Sequence, residues 1–180
     1  MKKLFYLAGM IALLISCDQV VFPESQPRRV KAMDRIPSEL QGIYLDQDGD
    51  TLTVTDRSFI YAEKKWRSAD EEFLSDSLVL KSYKNKYFFN YSVPVGHESY
   101  WITYMLDPVD DGKYIDVYAM NPDELVNMAK LQEITPKVRD IENGEFDMHL
   151  FAPRKKHYKK IIRDSIFSKV IFLTKISSGK

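Results

Sequence analysis

Residues 41–55, QGIYLDQDGDTLTVT, carry the clearest hairpin signal in the chain. Two runs in this stretch, Gln41–Leu45 and Thr51–Thr55, alternate apolar and polar side chains, as strands with one buried face do. Asp46–Asp50 separates them and contains the dipeptide Asp48-Gly49. An Asp-Gly turn between two alternating runs is typical of a β-hairpin. The stretch therefore predicts two antiparallel strands joined by a short turn.

The same alternation continues through the rest of the chain. Ser58–Glu63 predicts a third strand, whereas the charged segment Lys64–Asp76 has no clear period and is interpreted as a loop. The later segments predict two more hairpins and two single strands: Ser77–Tyr83 with Lys86–Val93, Tyr100–Leu106 with Lys113–Met120, Glu145–Phe151, and Lys169–Ile176. Hairpins that follow one another without intervening helices favour an antiparallel sheet.

Two segments have a helical period instead. Pro122–Leu131 follows Asn121, a favourable N-cap, and Glu124 completes the spacing of a capping box. Pro153–Asp164 repeats apolar residues at helical spacing and carries six basic side chains on its other positions. The predicted fold class is therefore mainly β (α+β): an antiparallel sheet or barrel of roughly nine strands in hairpins, with two short helices.

The first 17 residues have the order of a secretory signal. Lys2 and Lys3 precede the apolar run Leu4–Ile15, and the small residue Ser16 stands before Cys17. The run is shorter than the roughly 20 apolar residues that a membrane-spanning helix needs. Secretion without a lipid and a retained apolar anchor are alternative interpretations of this segment.

The tetrapeptide Leu14-Ile15-Ser16-Cys17 resembles the lipobox of bacterial lipoproteins. The resemblance covers the first tenth of the chain, and it implies cleavage before Cys17 and lipidation of that residue. It also implies a protein of the bacterial cell envelope that is lipid-anchored to the inner or the outer membrane. The folded part of the chain resembles no specific family. The predicted domain organisation is a signal peptide at 1–16, a lipidated tether at 17–35 and a single β-rich domain at 36–180.

Composition limits the classes of function. Removal of residues 1–16 from the 180-residue chain leaves 164 residues, enough for one domain with a real core. Without Lys2 and Lys3 the chain has 24 basic against 26 acidic residues, a net charge of −2. Because nucleic-acid binding depends on neutralising phosphates, no nucleic-acid partner is expected. Cys17 is the single cysteine, so no intrachain disulfide forms.

No metal or cofactor site is predicted from the sequence. Asp46, Asp48 and Asp50 resemble the start of a calcium loop, but Thr51 and Arg57 stand where that loop requires glycine and glutamate. The three histidines are too far apart in sequence to form a known zinc spacing, although Asp147 and His149 would share one face of a strand. We also find no spacing typical of a nucleophile with its base, and no catalytic residue is predicted.

The candidate binding surface lies on the aromatic strands. Tyr114, Asp116 and Tyr118 alternate with aliphatic residues, and Tyr104 belongs to the preceding strand. If this face is open, its flat rings and carboxylate could bind a ligand. Alternatively, a second layer covers the face and the rings belong to the core.

The expected function is that of a non-enzymatic binding or interaction module anchored to a membrane through a lipid on Cys17. A protein, a glycan or a small apolar ligand could be its partner. An envelope hydrolase that uses Asp116 or Asp147, and an inhibitor or immunity-type lipoprotein, are the alternatives. The basic helix at 153–164 could additionally contact an anionic bilayer.

Overall fold

The structure is a computed structural model that describes residues 18–64, 68–142 and 147–177. The predicted signal peptide at 1–16 and the predicted lipidation site, Cys17, lie outside the described residues. Twelve strands and two helices fall within the described ranges. They are β1 (Gln19–Val21), β2 (Gly42–Leu45), β3 (Thr51–Val54), β4 (Ser58–Glu63), β5 (Ser68–Phe73), β6 (Leu78–Tyr83), β7 (Lys86–Val95), β8 (Glu98–Val109), β9 (Tyr114–Ala119), α1 (Leu125–Ile134), β10 (Lys137–Glu142), β11 (Asp147–Phe151), α2 (Lys155–Arg163) and β12 (Ser168–Ser177).

Nine of these strands form one nearly closed antiparallel sheet in the order β5-β4-β3-β2-β12-β9-β8-β7-β6. The last strand of the chain lies in the middle of this sheet, between β2 and β9. A smaller sheet has the order β1-β11-β10, and β1 is parallel to β11. The predicted class is confirmed: the fold is mainly β, its large sheet is antiparallel, and two short helices accompany it.

Turn residues determine where the hairpins reverse. Lys84 and Asn85 connect β6 to β7, and their φ angles are 56° and 58°. A two-residue hairpin of this kind requires positive φ at both central positions. Gly112, in the turn between β8 and β9, has a φ of 78°, and a Cβ there would lie 2.7 Å from the carbonyl oxygen of Glu39. A larger residue at this position would therefore displace the segment that precedes β2.

The inner face of the nearly closed sheet holds the larger of two hydrophobic clusters. Every second residue of β8 and β9 points into it, which is the periodicity of strands with one face buried. Its buried members include Tyr44, Leu80, Tyr104, Ile115 and Leu173. The segment before β2 adds Ile36 and, from a turn, Leu40. This cluster is the main core.

The second cluster lies on the outer face of β7 and β8, beneath α2. Tyr158 and Ile161 of α2 are fully buried there, and the Phe88 ring meets Tyr158 edge-on with 5.6 Å between ring centroids. Phe22 approaches the same tyrosine from the N-terminal segment, at 6.4 Å. The helix and the N-terminal segment therefore cover part of the outer face together.

Part of the segment predicted as a tether, 17–35, is packed against the domain in the described residues. Val21 is completely buried, and Phe22 exchanges two backbone hydrogen bonds with Trp101, at 2.9 and 2.8 Å. Further along, the buried Asn90 side chain accepts from the Gln26 amide at 2.7 Å and donates to the Gln26 carbonyl at 2.9 Å. Proline and basic residues suggested a solvated linker, but apolar burial and paired backbone groups hold this segment on the domain.

Three strands were not predicted, and each has a physical reason. β1 has only three residues and pairs with β11, which is distant in sequence, so no local pattern predicts it. β5 carries Asp70, Glu71 and Glu72 and was interpreted as a loop, but it is an edge strand, where charged side chains are common. β10 is largely exposed and lacks an apolar face. The helices begin two or three residues later than predicted. Among the described residues, no helix is long and apolar enough to span a membrane.

Candidate functional site

The predicted site residues on β9 lie on the outer face of the large sheet. Ile115, Val117 and Ala119 are buried in the main core, while Tyr114, Asp116 and Tyr118 alternate with them and are half-buried. The structure therefore brings these three residues to one surface. Their neighbours are residues of β12 on one side and β8 on the other.

Tyr114 stacks on a residue that the sequence did not single out, Phe172 of β12. The ring centroids are 5.2 Å apart and the ring planes differ by 22°. The ammonium group of Lys113 lies 5.1 Å from the Tyr114 centroid, and that of Lys169 lies 4.8 Å from the Phe172 centroid. Each ring thus contacts the other ring and a lysine. Cation–π attraction stabilises this arrangement of rings and ammonium groups.

Charged pairs border this stack. Asp116 forms an ion pair with Lys169, at 2.6 Å, and lies directly opposite Asp107 of β8. Asp107 in turn pairs with Lys86 of β7. Like charges directly opposite one another across strands are destabilising, so the two lysines offset the repulsion of the two carboxylates. We call Tyr114, Asp116, Tyr118, Lys169 and Phe172 the aromatic patch.

Tyr118 has a mixed environment within the aromatic patch. Its hydroxyl lies 3.4 Å from Asp116, yet its ring packs against the second cluster beside Met105 and Met120. Burial, followed by the charges of Asp116 and Asp107, raises the pKa of Tyr118 above its usual value. Tyr118 therefore serves both the cluster beneath α2 and the outer surface.

Tyr104, the fourth predicted site residue, is on the opposite side of the sheet. It is 1% exposed and its ring stacks on Tyr91 inside the main core, with 6.1 Å between centroids. Its hydroxyl makes no hydrogen bond of ordinary geometry among the described residues. Burial raises the pKa of Tyr104 well above its usual value. The structure thus separates Tyr104 from the surface where the other three predicted residues meet.

Tyr104 lines a small internal cavity together with ten apolar residues, among them Leu40, Phe89 and Leu173. The cavity has a volume of about 60 Å³. A water molecule in the liquid takes about 30 Å³, and pockets for drug-sized ligands measure about 300–1,000 Å³. The interior of the sheet is therefore a packed core with a minor void, and it is too small for an extended apolar ligand.

No family model, curated protein or solved structure matches this chain. The functional interpretation therefore depends on the residues themselves.

The sequence analysis did not predict a group on the smaller sheet in which one histidine lies between two aspartates. His149 of β11 contacts Asp140 of β10 through Nδ1, at 2.5 Å, and its Nε2 lies 3.8 Å from Asp18. A hydrogen bond from Lys137, and then the contact with His149, hold the pKa of Asp140 below its usual value. Both ring nitrogens of His149 face carboxylates, so neither is directed toward an open pocket as a general base would be. Asp147, its predicted companion on β11, is exposed.

The aspartates of the β2–β3 turn serve the turn itself. Asp46 Oδ1 accepts the backbone N–H groups of Asp48 and Asp50, both at 2.9 Å. Asp50 accepts the hydroxyl of Tyr61 at 2.6 Å. These are the hydrogen bonds that aspartate makes in tight turns. Over the described ranges, no group of three or more His, Cys, Asp or Glu residues could hold a metal ion.

Sequence reasoning missed Phe172 and Lys169, and a usable signal existed for Phe172. β12 alternates buried Ile171 and Leu173 with Phe172, which places an aromatic side chain on the solvent side of a strand. Phe172 is 39% exposed. The position of β12 next to β9 is a long-range pairing, and nothing local in the sequence indicates it.

Proposed function

We propose that this chain is a lipoprotein of the bacterial cell envelope, anchored to the inner or outer membrane through a lipid on Cys17. The support is the lipobox resemblance of Leu14–Cys17 behind a basic and apolar signal. Strand β1 begins at Gln19, two residues after Cys17. The domain would consequently be held directly at the membrane surface, because only Asp18 lies between Cys17 and the first strand.

Within that setting, the domain acts as a non-enzymatic interaction module that binds a partner protein through the aromatic patch. The observation that carries this proposal is the half-exposed Tyr114–Phe172 stack beside the Asp116–Lys169 ion pair. Aromatic side chains ringed by charged groups resemble protein–protein contact surfaces, which have an aromatic centre and a polar rim. Val109, 42% exposed and opposite Tyr114 in register, extends the apolar area.

The geometry favours a protein over the other expected partners. A sugar would stack on a free ring face. Here Tyr114 and Phe172 stack on each other, and a lysine ammonium group lies over each of the two rings. The cavity beside Tyr104 measures only about 60 Å³, which is too small for a drug-sized apolar ligand. Of the two carboxylates that the hydrolase alternative would use, Asp116 is bound to Lys169, and Asp147 lies exposed on β11 of the smaller sheet, away from the aromatic patch.

The inhibitor or immunity-type alternative is a special case of this proposal. A partner that is itself an enzyme, and whose activity falls when the aromatic patch binds it, would assign the protein to that class. The identity of the captured partner decides between a structural and an inhibitory role.

The anchor is tested by mass spectrometry of the protein extracted from membranes. The proposal predicts a mature chain that begins at Cys17 and carries a lipid mass on that residue. Cys17→Ser should release the protein into the soluble fraction. Membrane association of the Cys17→Ser protein together with an unmodified Cys17 in the wild type would contradict the anchor.

The binding surface is tested by photo-crosslinking in intact cells. A photoreactive amino acid at position 109, beside the aromatic patch, should capture one defined protein. The matched control has the same amino acid at Val138, which is 57% exposed but lies on β10 of the smaller sheet. The adduct at 109 should disappear in a Phe172→Asp background. The same adduct from both positions, or an adduct that persists with Phe172→Asp, would contradict the proposal.

A further inference from the structure

Helix α2 presents an unusually uniform basic face to solvent. Six basic residues and no acidic residue occupy positions 154–163. All six are exposed, while Tyr158 and Ile161 are buried beneath the helix: Arg154, Lys155, Lys156, Lys159, Lys160 and Arg163. The side chains at i, i+1, i+4 and i+5 share one side of a helix, so the charges form a continuous stripe.

Few acidic groups balance this stripe. Arg163 pairs with Asp164 at 2.8 Å, and Lys160 also lies close enough to Asp164 to lower the pKa of that carboxyl. Lys155 lies over the Tyr83 ring at 5.6 Å. Among the described residues, Lys156 and Lys159 form no ion pair with an acidic side chain. Much of the positive charge of the stripe is thus available to a partner, although the mature chain as a whole has a net charge of −2.

Apolar side chains are exposed on the helix that packs against α2. Helix α1 packs against α2, and its first turn exposes Leu125 and Val126, which are 80% and 68% accessible. These are the two most exposed large apolar residues in the described part of the chain. A basic helix face accompanied by exposed apolar side chains matches a lipid surface, where anionic headgroups lie above hydrocarbon.

The N-terminal segment brings this surface close to the expected anchor. Phe22 contacts Tyr158 on the buried side of α2, and Phe22 is only five positions after Cys17 in the sequence. Five residues span at most about 18 Å when fully extended. A lipid on Cys17 would therefore keep α2 near the bilayer and raise the local concentration of the basic stripe there.

We infer that the basic face of α2, assisted by the exposed Leu125 and Val126 of α1, docks the domain onto an anionic bilayer. This contact does not require acylation of Cys17, so it can be tested without the anchor and independently of the aromatic patch. Docking would fix the orientation of the domain on the membrane, because a lipid and a charged face together provide two points of attachment.

The test uses the chain from residue 17 onward with Cys17→Ser, mixed with sedimentable vesicles. Vesicles of phosphatidylcholine alone are compared with vesicles that contain about one-third phosphatidylglycerol. The protein should sediment only with the anionic vesicles, and sedimentation should fall when salt is raised to about 0.5 M, because screening shortens the range of the attraction.

The decisive variant is the triple substitution Lys156→Gln, Lys159→Gln and Lys160→Gln. Because each lysine near an anionic surface strengthens binding about fivefold, this variant should lower the partition coefficient at least about tenfold. A charge-matched control replaces three exposed basic residues elsewhere with glutamine: Lys31, Arg57 and Lys64. The control should bind vesicles like the parent protein. Circular dichroism should show the same fold and melting temperature for the parent, the lysine variant and the control.

Three results would overturn the inference. The first is that the parent protein does not bind anionic vesicles. The second is that the two triple variants lose vesicle binding equally. The third is that the protein binds a soluble polyanion such as heparin but does not bind vesicles. The last outcome would assign the stripe to an acidic polymer instead of a lipid surface.

Discussion

The ring of Phe172 in β12 stacks on the ring of Tyr114 in β9 at 5.2 Å, on the solvent side of the large sheet. In register, Phe172 lies opposite Asp116, so Tyr114 is its diagonal neighbour across the two strands. Aromatic pairs contribute about 0.5–1.5 kcal/mol beyond the area they bury. The stack therefore orders the surface without being essential to the fold, and this is the physical basis for proposing that it binds a partner.

Replacement of Phe172 by alanine should have a small effect on folding. Because the ring is 39% exposed, the free energy of unfolding should fall by about 1 kcal/mol or less. Urea denaturation measures the change, with Phe73→Ala as a matched control on a phenylalanine that is 56% exposed on β5. A loss above about 3 kcal/mol would place Phe172 in the core and remove it from the binding surface.

Tyr118→Ala should be more damaging than Tyr114→Ala. The Tyr118 ring packs against the cluster beneath α2, whereas the Tyr114 ring stacks on Phe172 at the solvent side of the sheet. We expect a loss of about 1–3 kcal/mol, between the values for exposed and fully buried aromatic residues. The urea midpoints of the two variants give the comparison, and equal midpoints would show that Tyr118 stands clear of the cluster.

Phe22→Ala tests the packing of the predicted tether against the domain. Phe22 is 1% exposed and packs on Tyr158, so its truncation should cost about 3–5 kcal/mol. Pro23→Ala, at an exposed neighbour in the same segment, is the control and should change stability by less than about 1 kcal/mol. If Phe22→Ala were as mild as the control, residues 18–35 would behave as a solvated tether after all.

Alkaline pH should destabilise the domain. Burial raises the pKa of Tyr44, Tyr91 and Tyr104 above that of free tyrosine, so the folded chain keeps protons that the unfolded chain releases. Stability should be constant with respect to these groups below about pH 10. Above that pH it should fall by about 1.4 kcal/mol per pH unit for each such tyrosine.

Urea denaturation between pH 8 and pH 11.5 measures this dependence. Tyr104→Phe removes one of these ionisable groups, so the free energy of unfolding of this variant should fall less steeply with pH. Because the removed hydroxyl makes no ordinary hydrogen bond, the variant should lose no stability at pH 8. A stability that does not change with pH over this range would contradict the burial of these hydroxyls.

Local patterns predicted the hairpins because strand and turn signals lie within a few residues of each other. Asp48-Gly49 and Lys84-Asn85 marked two turns, and Ser58–Glu63 was predicted with its observed bounds. Long-range pairing was not visible in the same way. The parallel contact of β1 with β11 joins residues about 130 positions apart, and no local periodicity encodes it.

The candidate site was predicted in part for the same reason. Tyr114, Asp116 and Tyr118 follow from the alternation of a single strand, but Phe172 and Lys169 come from β12, whose position beside β9 depends on closure of the sheet. Tyr104 was grouped with the others because the strand's inner and outer faces both carry aromatic residues. Only the register shows that Tyr104 points into the core.

The affinity for the partner captured at position 109 tests the central claim most directly. Its dissociation constant should be measured by isothermal titration calorimetry for the wild type, for the double variant Tyr114→Ala with Phe172→Ala, and for Phe73→Ala. The account predicts that the double variant weakens binding at least about tenfold, as the loss of an aromatic centre does at protein interfaces, while Phe73→Ala leaves affinity unchanged. An unchanged dissociation constant for the correctly folded double variant would contradict the account.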